Sequence, residues 1–92
     1  MNNSRRAQIR KFISLLQSAT MDLPGILETV QEIQSAEQEA FDNMPEGLQT
    51  SERGQQSEQA SGDLESAVTS IETAQESIND AIDFLTFALG EE

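Results

Sequence analysis

The chain has 92 residues, a hydrophobic fraction of 36% and a net charge of −12, with no cysteine and no histidine. Such a composition fits one small domain, poor in core-forming residues, that gains stability by pairing with another copy. The missing residue types exclude a disulfide framework, a thiolate nucleophile, a Cys-based zinc site and the commonest general base, so neither an enzyme nor a cofactor is expected.

The charge is unevenly placed. Arg5, Arg6, Arg10 and Lys11 lie within the first eleven positions, and all 17 acidic residues follow them, against Arg53 alone. An acidic body repels nucleic acid and anionic lipid and attracts basic proteins. The segment after the basic cluster, FISLLQSATMDLPG, falls short of the roughly 20 apolar residues that span a bilayer. It also lacks the form of a signal peptide, so a cytosolic protein without membrane association is expected, with an Arg-rich amphipathic leader as the alternative.

In the first arm, Phe12, Leu16, Ala19, Leu23, Ile26, Val30, Ile33, Glu37, Ala40 and Met44 alternate steps of four and three, with Glu37 the one polar member. This is a heptad seam, and it predicts a helical arm over about 4–43. Proline removes a helical hydrogen bond, so Pro24 predicts a kink or a one-turn break near Thr20 to Gly25 with Asp22 as a cap. A true turn there, giving three helices, is the alternative.

The interruption at 44–51 predicts the reversal. Asp42 or Asn43 is placed to cap it, Met44-Pro45 opens it, and Gly47 with Leu48 turns the chain and plugs the seam. Arg53 is expected to pair with Asp42, Glu46 or nearby carbonyls. Beyond it, Ala60, Leu64, Ala67, Ile71, Ala74, Ile78, Ala81, Leu85 and Ala88 again alternate four and three. They predict a second arm over 52–89, with Ser51 as N-cap, Gly90 as C-terminal stop, and Gly54 and Gly62 weakening its first turns. The expected fold is all-α: a single-domain long antiparallel helical hairpin over 1–92.

The run Glu39-Ala40-Phe41-Asp42-Asn43-Met44-Pro45-Glu46-Gly47-Leu48-Gln49, followed by Ser51-Glu52-Arg53-Gly54, resembles the turn of small acidic helical-hairpin proteins of bacteriophages and prophages. The resemblance implies a mobile-element protein in the cytoplasm of a bacterial host cell. It carries no activity and no functional residues with it.

Closing the hairpin brings Arg5, Arg6, Arg10 and Lys11 towards Asp80, Asp83, Glu91 and Glu92, an arrangement in which each cluster offsets the other's unfavourable helix-dipole position. A phosphate or nucleotide contact is the competing role for the same cations. Apolar residues left beside the seam, among them Ile9, Leu15, Leu27 and Val68, exceed what two helices cover, which predicts dimerisation into a four-helix bundle or a higher oligomer. The candidate interface is Phe12, Ile13, Leu16, Ile82, Phe84, Leu85, Phe87 and Leu89; the alternative is that Phe84 and Phe87 wrap the terminal turn of one chain.

Glu28, Glu32 and Glu39 on the first arm, and Glu58, Glu65, Glu72, Glu76, Asp80 and Asp83 on the second, form a candidate acidic face. Helical spacing lacks the turn and carbonyl ligands of calcium or magnesium sites, and no apolar pocket raises a carboxyl pKa, so neither metal nor catalytic use is expected. The expected function is that of a phage-type regulatory or counter-defence inhibitor binding a basic host protein, through a face that mimics nucleic acid. The alternatives are a structural or assembly module, and an oligomeric sponge for a phosphorylated signal such as a nucleotide.

Overall fold

The computed structural model describes residues 1–90. Four helices follow one another: α1 (Asn3–Thr20), α2 (Leu23–Asp42), α3 (Glu46–Gln49) and α4 (Glu52–Leu89). Helices α1 and α2 run end to end along α4, and α3 closes the reversal. The result is an all-α hairpin of 68 × 19 × 16 Å. Its longest element, the 38-residue α4, spans about 57 Å at 1.5 Å per residue. Among the described residues, no helix is long and apolar enough to cross a membrane.

Pro24 breaks the first arm without redirecting it. A proline at this point leaves the Thr20 carbonyl without its donor, and α1 accordingly ends at Thr20, with Met21 N–H donating to Ser18 O at 3.3 Å. Two residues later the helix restarts with Pro24 in its first turn. Asp22 contributes its backbone rather than its carboxylate: its carbonyl accepts from Ile26 N–H at 3.0 Å, and its side chain makes no capping bond. The alternative of a chain reversal at Pro24 is thereby excluded.

The reversal is held by backbone bonds together with side-chain bonds from Gln49, Thr50, Ser51 and Gln55 to its carbonyls. Asn43 ends α2 with its N–H on Glu39 O and Phe41 O, and Pro45, not Asp42 or Asn43, occupies the cap position of α3. The Pro45 carbonyl accepts from Leu48 and Gln49 N–H groups at 2.8 and 3.0 Å. Gln49 Nε2 donates back to Phe41 O at 3.0 Å, tying α3 to the end of α2. Phe41 and Met44 are half-buried at this end, whereas Leu48, expected as the plug, is exposed. Ser51 caps α4 by accepting from Gly54 N–H at 3.3 Å, and Gly90 stops it in the left-handed region at φ 69°. Arg53 is exposed and pairs with neither Asp42 nor Glu46.

Burial shows the true seam. On the first arm the protected positions are Arg6, Ile13, Thr20, Leu27, Gln34 and Phe41, alternating with Ile9, Leu16, Leu23, Val30, Glu37 and Met44. On α4 they are Gly54, Ser61, Val68, Gln75, Ile82 and Leu89, alternating with Ser57, Leu64, Ile71, Ile78 and Leu85. Each set keeps the three-four rhythm without a slip, through Pro24 on the first arm, which makes them the a and d positions of one antiparallel pair. Half of the expected seam is therefore correct and half is displaced by one residue on both arms. The columns Phe12-Ala19-Ile26-Ile33-Ala40 and Ala60-Ala67-Ala74-Ala81-Ala88 fall at g, beside the seam instead of inside it.

The side chains explain this choice of register. Val68, Ile82 and Leu89 reach across the space between two helices, which the alanines of the neighbouring column do not fill. Among the described residues, Val68 and Leu89 are the buried hydrophobic ones, and each contributes about 1.5–3 kcal/mol by leaving water. Towards the reversal the seam turns polar and small. Ser57 donates to Glu37 Oε1 at 2.6 Å, Ser61 donates to Gln38 Oε1 at 2.8 Å, and Gln34 Nε2 donates to Ser61 Oγ at 3.3 Å. Glu37, read as the polar exception in the seam, thus has a partner inside it.

Candidate functional site

Because the two arms are antiparallel, their g positions flank one edge of the seam and their e positions flank the other. A shallow depression near the reversal confirms the pairing, since Ala40 of α2 and Arg53 of α4, both at g, line it together. The hairpin thus has two unlike sides.

The g side is apolar. Phe12 is 53% exposed, Ile26 46% and Ile33 51%, and beside them runs the alanine column of α4. Phe84, at c, lies one position further round the helix from Ala81 and Ala88 and is exposed, as is Phe87 behind it. The two rings meet edge to face with centroids 6.4 Å apart. No acidic residue stands at any g position; the charges there are Arg5 and Arg53, at opposite ends.

The expected interface residues divide accordingly. Phe12, Phe84 and Phe87 are exposed, but Ile13, Leu16, Ile82 and Leu85 are half-buried at a and d positions, and Leu89 is buried. These five face the opposite arm of their own chain: Leu16 and Leu85 at d, where the expected seam already held them, and Ile13, Ile82 and Leu89 at a, because that half of the seam lies one column away from the expected one.

The e side is polar. Glu58, Glu65 and Glu72 occupy successive e positions of α4, about 10 Å apart at one heptad each. Glu28, Glu32, Glu39, Glu76, Asp80 and Asp83 stand on the outer b and f positions. All nine are exposed, and among the described residues none of their side chains makes a hydrogen bond or ion pair. Among the described residues there is also no cluster of three or more acidic groups placed to hold a metal ion.

The basic cluster does not converge. Arg6 and Arg10, four apart, share a face of α1, but at 100° per residue Arg5 and Lys11 stand about 100° to either side of them, so the four fan around the helix. Arg6 turns into the seam and donates to the Leu89 carbonyl at 2.7 Å. Arg5 and Lys11 are exposed. Glu91 and Glu92, expected partners of this cluster, lie outside the described residues.

The chain matches no protein family, no curated protein and no solved structure.

Proposed function

We propose that this chain is a non-enzymatic, phage-type interaction protein, a regulatory or counter-defence inhibitor that binds a basic host protein through its carboxylate-lined surface. The observation that carries this reading is the segregation of charge: nine exposed carboxylates, none with a side-chain partner among the described residues, cover the e side and the outer surface, while no g position is acidic. Exposed charges of one sign at regular spacing, held on a rigid rod, attract an oppositely charged surface over about a Debye length and speed its encounter. The phage attribution rests on the resemblance of the turn around Phe41 to Gly54. A surface evolved for nucleic acid is the natural target, which makes DNA a competitor for the same partner and not a ligand of this chain.

The experiment is affinity capture from bacterial lysate with the intact chain and with a Glu58→Lys, Glu65→Lys, Glu72→Lys variant, at low and high salt. A nucleic-acid-binding protein retained by the intact chain, released by salt or by added DNA, and ignored by the variant is the expected result. Retention that survives both the variant and high salt would sink the reading.

The exposed apolar side favours a second reading, an assembly module whose output is the bundle itself. In that case the charge-reversed variant retains every activity of the parent chain.

A further inference from the structure

We propose that the g side of the hairpin is an interface with a second copy of this chain, two hairpins laying these sides together as a four-helix bundle. The polar e side and the outer carboxylates remain in water, so this inference is independent of the acidic-surface reading.

Surface area is the first reason. A compact monomer of 10.1 kDa exposes about 5,300 Å² by the usual size scaling. This hairpin exposes 6644 Å². The excess is larger than the roughly 800 Å² per partner that a stable protein interface buries.

Residue type and position supply the second reason. Helices of an isolated two-stranded coil need apolar residues at a and d alone, whereas helices of a four-helix bundle carry a third apolar column at e or g. Both arms have that third column, and both have it at g, so antiparallel geometry merges the two into one continuous apolar side. Phe12, Ile26 and Ile33 stay about half exposed there although nearby seam positions are occupied by Gln34, Gln75 and Ser61. A monomer gains nothing from that distribution, while a second copy supplies the missing cover.

Charge is compatible with a copy of the chain as the occupant. With a net charge of −12, two copies repel unless their carboxylates are kept apart, and no g position holds one; the nearest, Asp22 and Asp63, stand at the c positions beside Ile26 and Ala60. The two charges at g, Arg5 and Arg53, stand at opposite ends.

Light scattering on the intact chain over a dilution series tests the proposal. The expected mass is twice 10.1 kDa, falling to one chain for Ile26→Glu with Ile33→Glu, while Glu65→Gln with Glu72→Gln keeps the parent mass. A monomeric parent chain, or a double isoleucine variant that keeps the parent mass, overturns it. If the isoleucine variant loses its helix, single cysteines decide, since the chain has none of its own. Alkylation of Ala74→Cys, at g, slows as chain concentration rises, whereas that of Ser66→Cys on the outer surface does not. Equal rates at the two sites at every concentration also overturn the proposal.

Discussion

The guanidinium of Arg6 donates to the Leu89 carbonyl at 2.7 Å and joins residues 83 positions apart. It closes the open end of the hairpin. The bond also answers a local need, because the last carbonyls of a helix lack intrahelical donors and carry the negative end of its dipole. A cation that weakens the start of its own helix thus stabilises the end of its neighbour.

Arg6→Ala should consequently fray the open end. The lost charge-assisted bond is partly exposed, so the expected cost is about 1 kcal/mol. Amide exchange is the discriminating measurement: the Leu85 to Leu89 amides should lose protection while those near Val68 keep theirs. Uniform loss along α4 would mean that Arg6 acts on the whole fold and not on its end.

Gly54 and Gly62 predict opposite outcomes for the same substitution. A Cβ on Gly54 overlaps the Leu48 and Gln49 carbonyl oxygens, backbone atoms that the closing turn holds in place, whereas a Cβ on Gly62 meets nothing within 4 Å. Gly54→Ala should destabilise by about 2–3 kcal/mol through overpacking. Gly62→Ala should stabilise by about 0.5–1 kcal/mol through helix propensity. Chemical denaturation at fixed chain concentration reads both, and two changes of the same sign contradict the close approach of α3 to α4.

The seam register separates a second pair of variants. Val68→Asp places an unpaired charge in the seam and should abolish most of the helical signal, because a charge left unpaired out of water costs several kcal/mol. Ile33→Gln alters a g position and should leave helicity intact in circular dichroism. The reverse result would restore the register read from apolar content alone.

That reading succeeded where a single residue type settles the matter and failed where two columns compete. The hairpin, the break at Pro24, the Ser51 cap and the Gly90 stop were legible because proline, a capping hydroxyl and a glycine in the left-handed region each have a local backbone consequence. The register was not, because the sequence is apolar at a, d and g together, and a choice by hydrophobic count favours the unbroken alanine column over Ser61, Val68, Gln75, Ile82 and Leu89. Reach across the seam, a property of pairs of residues, decides otherwise. Nor does any periodicity announce Gly54 as a point of contact, or the bonds that make Ser57 and Ser61 fit partners for Glu37, Gln38 and Gln34. The acidic outer surface, in contrast, could be read directly, since exposed helical positions need no partner to be identified.

Pro24→Ala tests whether the break in the first arm has a structural purpose. The heptad rhythm runs through Thr20 and Leu23 without a slip, so an uninterrupted helix from Asn3 to Asp42 would keep every seam residue in place. Alanine restores the donor that the Thr20 carbonyl lacks and favours the helix over proline. Removing proline also frees the unfolded chain, which offsets part of the gain. The expected result is a net stabilisation of about 1 kcal/mol with a small rise in helical signal. A destabilised variant would show instead that the break at Met21 and Asp22 is needed for α1 and α2 to follow α4 along its full length.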